Sequence, residues 1–208
     1  MLVDLTIKGF LAETAGSAPV PGGGSISALN GAIATALTEM VANLTIGKKK
    51  YIDVEAEMED IRSRLEALQQ ELVGLTDRDA EAFEPLSRAY GLPKETEEQR
   101  IEKERVMEKA LYEASVVPLQ IMKTVFRVME DLEVLGEKGS RLAVSDVGVA
   151  VLFARAALEG ASLNIYINTR LMKNREQAER LNKESDELIA EAGRLQEKIY
   201  TGVLAKIR

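Results

Sequence analysis

The sequence predicts an all-α fold, a bundle of about five long helices with one short helix near the N-terminus. Apolar residues recur at spacings of three and four along most of the 208 residues, which is the period of a helix with one buried face. No segment alternates apolar and polar residues as a strand would. Residues that favour helices are frequent, while aromatic residues make up only 4%. The length fits a single domain, residues 1–208.

The amino-acid composition narrows the classes of function. A net charge of −7 argues against general nucleic-acid binding, so no nucleic-acid partner is expected. The first residues, MLVDLTIKGF, lack the basic start and the apolar run of a signal peptide. No uninterrupted apolar stretch approaches ~20 residues, so no membrane span or membrane partner is expected. These features together predict a cytoplasmic protein.

Two residue types are absent from the chain. There is no Cys, which excludes disulfides, thiolate nucleophiles and Cys-ligated metals. There is also no His, which is the commonest metal ligand and the commonest general base. We therefore expect no zinc chemistry, and any acid–base catalysis has to use Asp, Glu, Lys, Tyr or bound water.

The first two predicted helices flank a glycine-rich turn. A short helix is expected from Asp4 to Thr14, with Asp4 as its N-cap. After the segment PVPGGGS, a second helix is expected from Ser25 to Ile46, where Gly47 ends it. Its Ala and Gly content indicates a closely packed neighbour, and its larger apolar residues are expected to face inward: Ile26, Leu29, Ile33, Leu37, Met40 and Leu44.

The third and fourth helices each carry a coiled-coil-like seam with alternating spacings of three and four. In the third helix, which begins near Asp53, the seam consists of Met58, Ile61, Leu65, Leu68, Leu72, Leu75, Ala82 and Leu86. The same spacing also reaches Asp79, a carboxylate in register with the core. The fourth helix begins near Thr96 and ends at Gly136, and Pro118 in its seam predicts a kink.

The last two helices begin at residues that suit helix capping. The fifth is expected from the Ser145–Asp146 pair to Asn168, and the sixth follows Asn174. No internal repeat and no interdomain linker interrupts the pattern, which indicates one helical bundle.

Asp79 is the polar residue that breaks the apolar pattern most sharply. A buried carboxylate is costly unless it is paired or neutralised. Asp79 is therefore either a structural residue, paired with a Lys or Arg or facing water near Pro85, or a functional residue, since such exceptions gather at functional sites. The pattern alone leaves both interpretations open.

Other polar residues have ordinary structural explanations when each is taken alone. Ser145 and Asp146 fit helix capping, and this interpretation is favoured for Asp146. Asn164 and Asn168 lie four residues apart and so share one helix face. Core amides at such positions are often purely structural.

Two further segments offer groups to an anionic ligand. Lys48, Lys49 and Lys50 form a positive cluster where the second helix ends; such residues most often cap carbonyl groups, but they also suit a carboxylate. The glycines 22–24 are not a GxGxxG motif and follow no strand, which argues against dinucleotide binding. They still place backbone N–H groups at a helix start, where anions bind.

Read together and in order, several short segments resemble the cyclodeaminase family: PVPGGGS, LTIGKKKY, DAEAF, LPK, SVVPL, SD and NIYIN. This family comprises the cyclodeaminase domain of formiminotransferase-cyclodeaminase and free-standing bacterial relatives, some of which are methenyltetrahydrofolate cyclohydrolases. The resemblance extends from about Leu5 to about Arg180. It implies an all-α homodimer that acts on a tetrahydrofolate derivative as substrate, with no metal and no prosthetic group.

The family's functional residues carry over by position. The resemblance places catalytic carboxylates at Asp79 and Asp146. It places substrate binding at the glycine loop, the basic patch, the SD segment and the paired amides, which are Pro21, Gly22, Gly23, Gly24, Ser25, Lys48, Lys49, Tyr51, Ser145, Asn164 and Asn168.

The resemblance implies 5-formiminotetrahydrofolate cyclodeaminase activity, which forms 5,10-methenyltetrahydrofolate and releases ammonia. A carboxylate at Asp79 can take and return the protons of this reaction. Lys48 and Lys49 would hold the glutamate carboxylates, and Asn164 or Asn168 the pterin edge. Two alternatives stay open: a 5,10-methenyltetrahydrofolate cyclohydrolase with the same type of site, and a non-catalytic helical dimerisation protein.

Overall fold

The computed structural model describes residues 1–208 and confirms the all-α prediction. The chain is 87% helical, has no strand, and contains six helices including a short N-terminal one. None of these helices has an apolar window long enough to cross a membrane. The helices are α1 (Ile7–Thr14), α2 (Gly23–Thr45), α3 (Glu55–Tyr90), α4 (Glu97–Lys138), α5 (Val144–Thr169) and α6 (Arg175–Ile207). Short 3-10 turns lie at Leu2–Asp4, Lys49–Val54 and Arg141–Ala143.

Side-chain caps define three of the helix starts. Thr6, Thr96 and Asn174 each accept a hydrogen bond from the backbone N–H three residues later, at the starts of α1, α4 and α6. At α4 the Gln99 side chain also accepts a hydrogen bond from the Thr96 N–H, which completes a capping box. The prediction that Asp4 caps the first helix is wrong, because Asp4 belongs to the preceding 3-10 turn.

The seams predicted for the third and fourth helices form the centre of the core. Ten of their members are at most 1% exposed: Met58, Ile61, Leu65, Leu72 and Leu75 on α3, and Leu111, Ile121, Val125, Val128 and Leu132 on α4. They belong to one cluster of 39 buried side chains that extends over α2 to α6. Burial of this apolar surface is the main stabilising contribution to the fold.

The inward face predicted for the second helix is wrong for three of its six residues. Ile33, Met40 and Leu44 are 49%, 39% and 43% exposed, whereas the smaller Ala28 is fully buried. α2 contacts α3, α4 and α5 at once, and a Cβ added to Gly31 would lie 2.7 Å from a side chain of α4. Only small side chains fit where helices approach this closely, so Ile33, Met40 and Leu44 point away from the core, whereas Leu37 packs against it.

The antiparallel course of α2 and α5 gives the molecule two distinct ends. Gly23 at the start of α2 lies beside Asn164 near the end of α5, which we call the glycine end. At the other end, Thr45 of α2 accepts a hydrogen bond from the Ser140 N–H just before α5, at 2.9 Å. This second end contains the lysine cluster and is called the lysine end. Since α2 spans about 33 Å at 1.5 Å per residue, groups at opposite ends cannot meet within one chain.

Candidate active site

A cavity of about 160 Å³ lies at the glycine end, where the start of α2 meets α3, α4 and the last turns of α5. We call it the Asp79 cavity. Its lining brings together predicted site residues from three distant segments: Gly22, Gly23, Gly24, Asp79, Asn164 and Asn168. The remaining walls are Pro19, Val20, Phe83, Ala114 and Ile167. No three Asp or Glu side chains in the chain lie close enough together to hold a metal ion.

Asp79 is the only ionisable group that lines this cavity. Its Oδ2 accepts a hydrogen bond from the Ser25 hydroxyl at 3.1 Å, and no Lys or Arg acts on it. Burial raises the pKa of Asp79 above its ordinary value, and the bonds from the Ser25 hydroxyl and N–H oppose part of that rise. The interpretation as an Asp paired with Lys or Arg is therefore wrong. A carboxylate of this kind is suited to exchange protons with a ligand or to face a positive charge on it.

The glycine loop allows α2 to begin directly against Asp79. A Cβ on Gly24 would lie 2.0 Å from Asp79 Oδ1, and a Cβ on Gly23 would lie 3.3 Å from Asn164 Oδ1. Gly24 is therefore required for the position of the carboxylate. Pro21 and Ser25 are buried and lie behind the cavity wall, so Ser25 contacts Asp79 rather than presenting a free group to the cavity.

Asn164 and Asn168 are each held by a backbone carbonyl. Asn164 Nδ2 donates to the Gly160 carbonyl at 3.0 Å, and Asn168 Nδ2 donates to the Ala114 carbonyl at 3.1 Å. The Ala114 carbonyl is available because Pro118, four residues later, has no N–H to donate to it. With both nitrogens directed at the protein, the Oδ1 atoms of the two amides are the groups left to accept hydrogen bonds from a ligand.

Sequence reasoning does not identify Phe83 and Ile167 as site residues. Phe83 lies one helical turn after Asp79 within the segment DAEAF, so its place in that motif is the available signal. Ile167 is 57% exposed, and nothing in its own sequence context distinguishes it from a surface residue. Both side chains give the cavity apolar walls that suit the faces of a planar ring.

Lys48, Lys49 and Tyr51 lie at the lysine end, separated from the Asp79 cavity by the length of α2. The Tyr51 hydroxyl accepts a hydrogen bond from the Arg141 N–H at 3.0 Å. This bond is the main cause of a lowered pKa of Tyr51, and Lys50, whose Nζ lies 5.4 Å from the ring centroid, adds to it. Tyr51 and Arg141 line a further cavity of about 530 Å³ together with Lys50 and two other lysines. This end of the molecule is therefore positively charged.

Ser145 and Asp146 also lie at the lysine end, in the first turn of α5. The predicted capping role is wrong, because α5 begins at Val144 after Ala143 and has no side-chain cap. Ser145 is exposed and Asp146 half-buried, and neither makes a side-chain hydrogen bond or an ion pair. Within one chain these two residues do not meet the carboxylate of Asp79, so the predicted site residues form two separate groups.

The fold and the cavity define an all-α protein whose half-buried carboxylate, set between helices, suits acid–base chemistry on a planar ligand. A sequence profile of the family described as formiminotransferase-cyclodeaminase matches residues 6–187. The chain therefore belongs to the formiminotransferase-cyclodeaminase family, as the sequence motifs predicted.

Individual relatives agree with this membership. The chain is 44% identical over 202 residues to the methenyltetrahydrofolate cyclohydrolase of Methylorubrum extorquens, with 97% of both chains covered. It is 30% identical over 191 residues to the formimidoyltransferase-cyclodeaminase of Mus musculus, covering 92% of this chain and 35% of that protein. The crystal structure of formiminotetrahydrofolate cyclodeaminase from Thermotoga maritima matches with a TM-score of 0.81 at 32% identity, covering 99% of this chain and 97% of that one.

Proposed function

We propose that this chain is a tetrahydrofolate one-carbon enzyme that hydrolyses 5,10-methenyltetrahydrofolate to 10-formyltetrahydrofolate. The observation that carries the proposal is Asp79, a carboxylate without a cationic partner in a cavity of its own. The methenyl group is a cation delocalised over N5 and N10, so it supplies the missing positive charge. The 44% identity to a cyclohydrolase over nearly the full length of both chains favours hydrolysis as the reaction.

Asp79 acts as the general base in this proposal. Water adds to the bridging carbon of the methenyl cation and gives a proton to the Asp79 carboxylate, which yields a neutral carbinolamine. The bond from the bridging carbon to N5 then breaks as the C=O bond forms. N5 takes the proton from Asp79, and the carbinol proton goes to solvent. The sum is methenyl cation and water giving the formyl product and one proton.

The other groups in the Asp79 cavity suit the pterin ring. The Oδ1 atoms of Asn164 and Asn168 accept hydrogen bonds, and the pterin edge offers an amino group and ring N–H groups as donors. Phe83 and Ile167 pack against the ring faces. A volume of about 160 Å³ suits a bicyclic ring and leaves the rest of a folate outside.

Formiminotetrahydrofolate cyclodeaminase activity is the second candidate, favoured by the full-length similarity to the Thermotoga maritima structure. In that reaction N10 attacks the carbon of the protonated formimino group, and Asp79 takes the N10 proton and passes it to the departing nitrogen. This nitrogen leaves as ammonia, and the positive charge stays on the methenyl product. Both reactions pass through a tetrahedral carbon at the same place in the substrate. One carboxylate therefore serves either reaction.

The same proposal includes a homodimer formed through the outward faces of α2 and α5, two helices that pack side by side. Eight large apolar residues on these faces are 39% to 67% exposed: Ile33, Met40, Leu44, Val149, Leu152, Phe153, Leu163 and Ile167. Apolar surface of this extent is typical of a protein–protein contact. Since Ile167 also lines the Asp79 cavity, this surface continues into the candidate active site.

A two-fold axis perpendicular to α2 would place the lysine end of one protomer over the glycine end of the other. Lys48, Lys49, Tyr51, Ser145 and Asp146 of one copy would then close the Asp79 cavity of its partner. This arrangement joins the two groups of predicted site residues that are about 33 Å apart in one chain. It also gives Asp146, which has no partner in its own chain, a place in the site.

The absorbance of the methenyl chromophore tests both reactions with purified protein. Faster loss from 5,10-methenyltetrahydrofolate than in buffer supports the hydrolase, and appearance from 5-formiminotetrahydrofolate with ammonia release supports the cyclodeaminase. An Asp79→Asn variant purified in the same way controls for contaminating enzymes. No change in either direction, together with no folate-dependent rise in Tm, contradicts both activities.

A further inference from the structure

A cavity of about 320 Å³ lies near the glycine end, between the start of α4 and the connections that join α3 to α4 and α5 to α6. Met107, Leu111 and Leu171 provide its apolar side chains. Two residues of this cavity are close in sequence to residues that line the Asp79 cavity. Leu111 precedes Ala114 by three residues, and Leu171 follows Asn168 by three residues. The nearest walls of the two cavities are thus three residues apart, along α4 and across the end of α5.

The rim of this cavity is basic, and we call it the basic cavity. Four cations line it against two carboxylates, namely Lys94, Arg100, Lys103 and Lys173 with Glu104 and Glu108. Glu108 is engaged by the N–H groups of Lys173 and Asn174, at 2.7 and 2.8 Å, and so fixes the α5–α6 connection. Arg100 and Lys173 pair with Glu97 and Glu104, whereas Lys94 has no ion-pair partner. Lys103 Nζ donates to the carbonyl groups of Tyr90 and Leu92, so Lys94 and Lys103 are the two lining cations without a carboxylate partner, and they favour an anionic ligand.

The substrate of the proposed function carries a matching anion. In a tetrahydrofolate, N10 is attached to an aryl ring, which continues through an amide to a glutamate with two carboxylates. The Asp79 cavity has no room for this tail, so the tail has to extend along the protein surface. Met107 lies seven residues, or about 10 Å, from Ala114, a separation similar to the length of an aryl ring with its amide. Lys48 and Lys49 of the same chain lie too far away to hold the tail. In the proposed dimer the partner's Lys48 and Lys49 are the competing cations, and substitution of these two lysines distinguishes them from the basic cavity.

We propose that the basic cavity binds the glutamate portion of the folate substrate, with the aryl ring on its apolar floor and the carboxylates at Lys94 and Arg100. This inference rests on the proposed function, because it takes the substrate to be a folate whose bridging carbon lies at Asp79. The basic cavity then determines specificity for the tail, while the Asp79 cavity carries out the chemistry. Carboxylates bound by Lys and Arg form charge-assisted hydrogen bonds, which are the strong class.

The test compares two substrates that differ only in the glutamate: 5,10-methenyltetrahydrofolate and 5,10-methenyltetrahydropteroate, which lacks it. For the wild-type protein we expect KM to be about tenfold lower for the folate than for the pteroate. The double variant Lys94→Ala/Arg100→Ala should reduce this ratio to about one by raising KM for the folate. Lys109→Ala, a lysine of α4 outside the basic cavity, is the matched control and should leave the ratio as in the wild-type protein.

Each outcome bears on a separate claim. A KM ratio that the double variant leaves unchanged overturns the proposal, and so does a ratio that falls only in a Lys48→Ala/Lys49→Ala variant, which would assign the tail to the lysine end. If the wild-type protein converts neither substrate, the proposed function fails rather than this inference. Circular dichroism of each variant verifies that the helices are intact, since Lys94 and Arg100 are exposed.

Discussion

Gly24→Ala should displace the carboxylate of Asp79, because the added Cβ has no space. It would lie 2.0 Å from Asp79 Oδ1, 2.4 Å from Cγ and 2.5 Å from Oδ2, so all three carboxyl atoms are in collision. Relief requires the carboxyl group to rotate away or α2 to shift, and either movement breaks the bond from Ser25. Overpacking costs about 1–3 kcal/mol, and a hydrogen bond to a charged group contributes about 1.5–3 kcal/mol. We expect a loss of about 3 kcal/mol in the free energy of unfolding.

Thermal unfolding and methenyl turnover measure this effect. In a chain of this size about 3 kcal/mol corresponds to a fall in Tm of about 6–12 °C. Turnover should fall at least ~100-fold, because the displaced carboxylate no longer reaches the bridging carbon. The matched control is Gly74→Ala on α3, where an added Cβ has no atom within 4 Å. That variant should be as stable as the wild-type protein or more stable by up to about 1 kcal/mol, since Ala favours a helix over Gly.

A double-mutant cycle decides whether the collision is with the carboxyl group. Asp79→Ala removes all three atoms that the new Cβ would meet, so adding Gly24→Ala to Asp79→Ala should cost nothing further. The expected coupling energy is about 3 kcal/mol. If the two substitutions are additive in the free energy of unfolding, Gly24 is not needed to accommodate Asp79, and the explanation of the glycine loop given above is refuted.

Three further variants test the site and the assembly. Asp79→Asn should lower turnover at least ~100-fold. Burial raises the pKa of Asp79, so its ionised form opposes folding above that pKa. Asp79→Asn should therefore raise Tm at about pH 8 but not at about pH 3. A lower Tm of this variant at pH 8 contradicts the explanation. Ser25→Ala removes a hydrogen bond that lowers the pKa of Asp79, so the acidic limb of the rate–pH profile should move to higher pH. If the rate falls and the acidic limb stays at the same pH, Ser25 has only a packing role. Phe153→Glu should sediment as a monomer and lose activity. Ile101→Glu, which also changes an exposed apolar residue, should stay dimeric and active. A wild-type protein that sediments as a monomer contradicts the dimer.

The helical bundle could be predicted because its buried faces follow one repeating spacing. The α3 and α4 seams are long enough for the pattern to identify the core, and Thr96 and Asn174 lie at the predicted starts of α4 and α6. The same reasoning fails on α2, where Ile33 and Met40 are exposed and Ala28 is buried. A hydrophobic stripe does not reveal whether it faces the core or another protein chain, and close helix packing selects small residues rather than the most hydrophobic ones.

The candidate site could be predicted only as a set of residues. The register of Asp79 in the α3 seam and its place beside the glycine loop follow from motif order and spacing. The separation of Asp146 and Lys48 from Asp79 could not be predicted in this way. Position along the sequence does not show at which end of the bundle a helix begins or ends. The contact between Asn168 and the Ala114 carbonyl joins residues 54 apart, and no local pattern reports such a pair.

Pro118 has a consequence for ligand affinity. A proline inside a helix costs about 3 kcal/mol, yet here it leaves the Ala114 carbonyl free to hold the side chain of Asn168. That amide is therefore immobilised in the ligand-free protein, and its rotamer entropy is lost during folding rather than during binding. A ligand that donates to Asn168 Oδ1 meets an acceptor already in position, so little of that hydrogen bond is offset by ordering the side chain. An interruption that weakens α4 thus increases the affinity of the cavity for its ligand.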